Sequence, residues 1–380
     1  MLLRKILLKN ELEQRLSERS IRKALSNGHA KRKPRPCGLT IHSAIGCPNE
    51  CLYCYIQDMG FDFIEAKPYG LSGEELLYSL MNNPYFVPGK WGTFLAFGSI
   101  SDPFHEEVID KTLEYFTAIE KIGNPCQFST KKYIDRKVAK RLASLKISIS
   151  PLITIISINK SSILEPKAPK VEARLKTIEN LRKVGLKPIL FLRPIIPGIS
   201  DLEFNEIMKE AKRAGAIGVV VGGLRITMRI INRLRRAGIN VKPILNRAPR
   251  IGIGDRQIPI RISDLKRKAI SEARRIGLIP FASACCANAY IAGVPCANLC
   301  WLKGQCTKCP NNCSEKVPKI VREDAEELFR MITKRKAVIL NLNERGLSLR
   351  VKDRMNRREI EIAQYIMQII FRRRVKIEKS

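Results

Sequence analysis

No apolar run in the 380-residue sequence is long enough to cross a bilayer, which excludes a membrane-spanning helix. The opening stretch MLLRKILLKNELEQRL has neither the core nor the cleavage site of a signal peptide, because charges interrupt it every few residues. The chain is therefore expected to be cytoplasmic, where thiols stay reduced and clustered cysteines are metal ligands more often than disulfides. No internal repeat at solenoid periods is present, so the chain is not a repeat array. Acidic residues are scarce: 36 Asp and Glu face 69 Lys and Arg, a net charge of +33. Ion-pair networks of a heat-adapted protein would need Glu in proportion to Lys, so they do not account for the excess. A polyanionic partner does: nucleic acid first, an anionic membrane surface second, and of these we expect nucleic acid.

What the sequence does contain is strand–helix alternation. Residues 1–36 are expected as a basic N-terminal arm, with an amphipathic helix through Leu12, Leu16, Ile21 and Leu25 and an extended end, HAKRKPRP. From residue 37 to 225, six apolar segments (CGLTIHSAIG, GTFLAFGS, PCQFST, KISISPLITIIS, LKPILFLRPII and AIGVVVGG) alternate with amphipathic helices. Such alternation implies a parallel sheet covered by helices. Six units are too few for a closed eight-unit barrel, so the expected class is α/β, a partial (β/α)6 TIM-like barrel. Residues 226–284 read as a helical and strand extension, 285–314 as a Cys-rich metal-binding segment, and 315–380 as a basic, mostly helical tail.

Three of the twelve cysteines, Cys47, Cys51 and Cys54, fall within GCPNECLYCY, just after the first strand. A structural zinc site wants four ligands, and this loop supplies three. Cys37 lies at the far end of a predicted strand of ten residues, roughly 30 Å away at full extension, and is a poor fourth. A 4Fe–4S cluster held by three thiolates keeps one iron open, which is what a reactive site needs.

The C-x3-C-x2-C spacing, the aromatic Tyr53 before the third cysteine and the βα context resemble the radical S-adenosylmethionine (radical SAM) superfamily. The segments TIHSAIGCPNECLYCYIQDMG, FGSISDPFHEEV and SISPLITIIS…FLRPIIPG are similar to the branch containing spore photoproduct lyase and "DNA repair photolyase"-type proteins. The resemblance implies a 4Fe–4S cluster on Cys47, Cys51 and Cys54, SAM across the strand C-terminal ends, and a reductant such as ferredoxin or flavodoxin. It further implies Gly98 and Ser99 beside the SAM amino group, Ser148 and Ser150 near the ribose, and Arg193 on the carboxylate. Tyr53 and Tyr55 are expected over the cluster or adenine. One departure stands out: that branch carries a cysteine hydrogen donor where this chain has Ser99. A serine O–H bond is too strong to replace a thiol, so photoproduct repair itself is not expected, and Cys126 on the third strand is the alternative donor.

Seven more cysteines crowd into residues 285–313, where no histidine is available, so any metal there has sulfur ligands alone. The expected set is Cys300, Cys306, Cys309 and Cys313, with Cys296 as rival, holding a second 4Fe–4S cluster or, alternatively, zinc. The functional expectation is a radical SAM enzyme acting on nucleic acid. The alternatives are a radical SAM enzyme that modifies peptides through an auxiliary cluster, and a nucleic-acid-binding protein with structural zinc.

Overall fold

The computed structural model describes residues 1–35, 38–60, 65–250 and 252–379. The apolar segments form β1 (Leu39–Ile41), β2 (Leu95–Phe97), β3 (Cys126–Thr130), β4 (Ile149–Thr154), β5 (Ile189–Ile195) and β6 (Gly218–Gly223). They are side by side in chain order, and every pair is parallel. A seventh strand, β7 (Ile279–Phe281), joins β6 in parallel. It lies in LIPFASACC, beyond the six predicted units, and is only three residues long.

The covering helices run between the strands: Gly73–Asn82, Ile109–Glu120, Arg136–Ser144, Val171–Lys183, Phe204–Arg213, Met228–Arg236 and Ser263–Ile276. Ser72 caps the first of these in a reciprocal capping box with Glu75. Phe128 of β3 faces Phe116 of the helix Ile109–Glu120, so Phe128 points outward. Alternation then turns Gln127 and Ser129 to the inner face of the sheet. Because all the strands are parallel, their C-terminal ends share one edge, the usual position of a site in such folds.

The N-terminal segment is two helices, Leu2–Arg15 and Glu18–Ser26, broken where Ser17 caps the second. They are docked rather than extended. Ser79 Oγ donates to Ala24 O at 2.6 Å, and Asn83 Nδ2 donates to both His29 O and Arg32 O at 2.8 and 2.9 Å. Arg32, expected in a free basic arm, donates to Thr40 O at 3.1 Å.

The tail departs from its mostly helical expectation. Two helices, Arg322–Thr333 and Arg357–Phe371, cover a three-stranded sheet of β8 (Val338–Leu342), β9 (Gly346–Val351) and β10 (Arg374–Lys379). Phe329, Ile339, Leu349, Val351, Ala363 and Met367 form its own core. Asn343 Oδ1 accepts from Arg345 N and Gly346 N, both at 2.9 Å, and makes the β8–β9 turn.

Candidate active site

β1 ends at Ile41, and the chain then enters the loop of Cys47, Cys51 and Cys54 at the C-terminal edge of the sheet. Cys54 N donates to Cys51 O at 3.0 Å, and Leu52 N donates to Leu164 O at 2.9 Å, which fastens the loop to the segment after β4. One arginine of the helix Met228–Arg236 holds the loop from outside. Arg233 donates to Leu52 O at 3.1 Å and to Cys54 O at 2.6 Å, and also to the Gln57 side chain. Asp58, 3.9 Å from Arg233, accepts from Thr227 Oγ1 at 2.8 Å.

Behind the cysteines lies a buried charged group. Glu165 accepts from Tyr53 OH and from Arg174 Nη1, and Lys131 Nζ lies 3.9 Å from its carboxylate. Arg174 also donates to Pro169 O at 2.8 Å and Thr154 O at 3.2 Å. Lys131 Nζ sits 5.7 Å from the Tyr53 ring centroid. Burial pushes the Cys51 and Cys54 thiols up to about 11, and Lys131 opposes that rise at both. At Lys131 burial works against the charge, but Cys51 and Glu165 outweigh it and its pKa is raised. A cation is thus placed where three thiolates would need one.

The loop after β2 completes this side. Asp102 accepts from Thr130 Oγ1 at 2.6 Å, Lys131 N at 2.8 Å, Phe104 N at 3.1 Å and Asn49 Nδ2 at 3.5 Å. It ties the ends of β2 and β3 to the cysteine loop. Gly98 has φ +87°, and a Cβ there would meet Ser129 O at 2.5 Å, so only glycine fits and the backbone stays bare. Ser99 O accepts from Tyr55 OH at 3.1 Å, which sets this strand end beside the third cysteine's neighbour. Arg193 of β5 lies against Gly222 of β6, where a Cβ would come within 2.5 Å of Arg193 Cδ. Arg193, Arg35 and Arg225 all act on the Tyr55 hydroxyl, whose pKa burial and Cys54 raise.

Cys47, Cys51, Cys54, Gly98, Ser99 and Arg193 therefore share the C-terminal edge. Ser148 and Ser150 do not. Ser148 precedes β4, and Ser150 is its second residue, paired with Gln127. Both lie at the entry of the strand, away from the expected ribose site, because the strand begins at Ile149. Ser150 Oγ and Gln127 Oε1 are buried without partners there. Cys126 opens β3 at the same lower end, its thiol donating to Asn124 O at 3.5 Å, so it does not face the cysteine loop. Cys37 lies outside the described residues. Asp102, Lys131, Glu165, Arg174 and Arg233 were not anticipated. Of these, Asp102 and Glu165 stand before prolines, in SDPF and LEPK, a local signal that the chain turns.

The second expected thiol set is also redrawn. Cys300 comes together with Cys285, Cys286 and Cys296. Cys306, Cys309 and Cys313 lie outside that group, and Cys306 is exposed.

The donor set at the loop, three soft sulfurs with an adjacent ammonium and no fourth protein ligand gathered to them among the described residues, fits a 4Fe–4S cluster with an open iron. Residues 41–211 match the model of the radical SAM superfamily, so the chain carries a radical SAM domain. A single-site variant of spore photoproduct lyase superposes at a TM-score of 0.51 with 18% identity, over 66% of this chain and 78% of its own. A double variant of that enzyme, with bound AdoMet and dinucleoside spore photoproduct, superposes at 0.51 with 16% identity over the same shares. At such identities the likeness is one of fold. An uncharacterised protein of Acidianus two-tailed virus is 24% identical over 42% of this chain and 56% of its own length. One of Methanocaldococcus jannaschii is 26% identical over 43% and 62%. The chain thus spans less than two thirds of either relative.

Proposed function

We propose that this protein is a radical SAM enzyme acting on nucleic acid. Cys47, Cys51 and Cys54 hold the cluster, Gly98 and Ser99 offer backbone to the SAM amino group, and Arg193 meets its carboxylate. When bound, cluster and SAM together supply, with one electron from a ferredoxin- or flavodoxin-type reductant, a 5′-deoxyadenosyl radical that takes a hydrogen atom from substrate. The chain's own part is to hold and shield. Arg233 and Asp102 fix the cysteine loop, Lys131 offsets thiolate charge, and Tyr53 with Glu165 closes the back of the site against water. The observation that carries the reading is the convergence of three thiols, a half-buried ammonium and a bare glycine backbone on one sheet edge.

The excess of basic residues supports nucleic acid as substrate, as do the arginines Arg35, Arg193 and Arg225 around Tyr55. A thiol-quenched repair reaction is not part of the proposal. Ser99 follows the end of β2 by two residues, and among the described residues no cysteine besides the trio stands at the C-terminal edge. The test is binding of single- and double-stranded DNA and RNA to the reconstituted protein over a salt series. Six or more phosphate contacts give a slope of about −4 to −5 or steeper in log K against log salt. A flat salt response, with binding to neutral peptides instead, would favour the peptide-modifying alternative.

A further inference from the structure

The four thiols of the C-terminal group are packed too tightly for an iron–sulfur cubane. The Sγ atoms of Cys285, Cys286, Cys296 and Cys300 all lie within 4.8 Å of one another, and those of Cys285 and Cys296 are 3.6 Å apart. Four sulfurs bound to one zinc ion at about 2.3 Å stand about 3.8 Å apart in a tetrahedron. Around a cubane, thiolates stand roughly 6 Å apart, because four irons lie between them. The same molecule supplies a contrast. Among the described residues this is the only group of three or more such ligands gathered so closely, and the trio at Cys47, Cys51 and Cys54 is more widely spaced. We propose that Cys285, Cys286, Cys296 and Cys300 bind a single tetrahedral zinc ion, and that this ion is structural.

The local fold explains how distant positions meet. Cys285 and Cys286 lie in the first turn of the helix Ala284–Ala292, where free backbone N–H groups favour anionic ligands. Gly293 ends the helix in the left-handed region, and Val294 N donates to Ala289 O at 3.1 Å, so the chain reverses. Leu299, at φ +54°, turns it again into Cys300. Hydrogen-bond donors reach the sulfurs. Ser283 Oγ is 3.0 Å from Cys285 Sγ and donates to Cys286 Sγ at 3.4 Å, and Asn298 Nδ2 donates to Cys300 Sγ at 3.5 Å.

A second observation points to negative charge at this place. Arg372 is completely buried, and its Nε and Nη1 atoms have no hydrogen-bond partner. Its Nη2 donates to Trp91 O at 2.8 Å, and its charge acts on Cys296. A buried guanidinium without a counter-charge is strongly unfavourable. Zinc with four thiolates carries two net negative charges, which supplies that counter-charge.

The position fits a staple and not a participant in the reaction. Phe94, just before β2, packs with Cys285, Cys296 and Cys300. Asn288 of the same helix reaches Pro125 O, just before β3, at 3.5 Å. The ion site therefore lies at the N-terminal end of the strands, opposite the Cys47 loop. The tail module is fastened to the same place: Gln368 donates to Ala297 O at 2.9 Å and Arg374 to Leu302 O at 2.8 Å.

The experiment measures zinc, iron and acid-labile sulfide in the full chain purified anaerobically with Cys47→Ala, Cys51→Ala and Cys54→Ala together. The expected result is one zinc per chain with neither iron nor sulfide. Replacing that zinc with cobalt should give the visible bands of a tetrahedral tetrathiolate. Adding Cys296→Ser and Cys300→Ser should abolish zinc binding, whereas Cys306→Ser, Cys309→Ser and Cys313→Ser should leave it. Arg372→Leu should weaken zinc retention against a chelator by about 10–100-fold. Iron with equal sulfide in the triple variant, absence of any metal, or zinc that depends on Cys306, Cys309 and Cys313 would each overturn the proposal. Should the serine variants not fold, the cobalt spectrum of the triple variant decides alone.

Discussion

Replacing Glu165 with glutamine removes the carboxylate that faces both Arg174 and Lys131 in a buried group. Arg174 is 1% exposed, and its remaining acceptors would be the carbonyls of Thr154 and Pro169. Lys131 would lose the carboxylate 3.9 Å away. Breaking a buried ion pair by removing one partner costs about 3–5 kcal/mol. Spread over the unfolding entropy of a chain this long, about 0.8 kcal/mol/K, that lowers the melting temperature by about 4–6 °C. The assay is calorimetry of cluster-free protein at neutral pH under reducing conditions. The double variant Glu165→Gln with Arg174→Met should recover part of the loss, because it removes the cation left unpaired. A melting temperature unchanged by Glu165→Gln, or a double variant worse than the sum of its parts, would refute the account of this group.

Gly98→Ala should weaken SAM binding more than tenfold in equilibrium dialysis, since a methyl group 2.5 Å from Ser129 O forces this strand end to move. Arg193→Met should raise the SAM dissociation constant by about tenfold, the worth of a charge-assisted pair, while leaving iron and sulfide content unchanged. Lys5 donates to Asn83 O and Phe86 O, and burial, with help from Lys9, lowers its pKa from 10.5 to about 8. Between these values the unfolded chain binds more protons than the folded one. The stability of the wild-type chain relative to Lys5→Met should therefore rise in denaturant melts as pH increases from about 8 towards 10.5.

The readable and unreadable parts of this molecule differ in how far apart in sequence their pieces lie. The cysteine trio stood out in the sequence because its members are neighbours, and the fold sets their loop at the C-terminal edge of the sheet. The six barrel strands were legible from apolar runs alternating with amphipathic helices. β7 was not, because its apolar residues run straight into the cysteine segment, with no amphipathic helix pattern after them to mark a further unit. Ser148 and Ser150 were expected on the fourth strand near the ribose, but KISIS extends the apparent strand pattern below its start at Ile149, and both stand at its entry. Compact spacing also misled at the second thiol group. Cys306, Cys309 and Cys313 are close in sequence, but the reversal after Gly293 brings Cys285 and Cys286 back to Cys296 and Cys300 instead. In the tail, GLSLRV alternates with a strand period after an Asn-to-Gly turn, but the apolar stripe of the following helix dominated the pattern. Glu165, Arg174, Lys131 and Asp102 come from separate connections, and only the folded chain brings them behind the cysteine loop.

The central claim is that Cys47, Cys51 and Cys54 hold a cluster that cleaves SAM. Its most direct measurement is 5′-deoxyadenosine formed by anaerobically reconstituted protein given SAM and dithionite. The account predicts steady release from the wild-type chain and none when the three cysteines are replaced by alanine. Absence of 5′-deoxyadenosine from iron- and sulfide-replete protein, or equal amounts from the alanine variant, would contradict it.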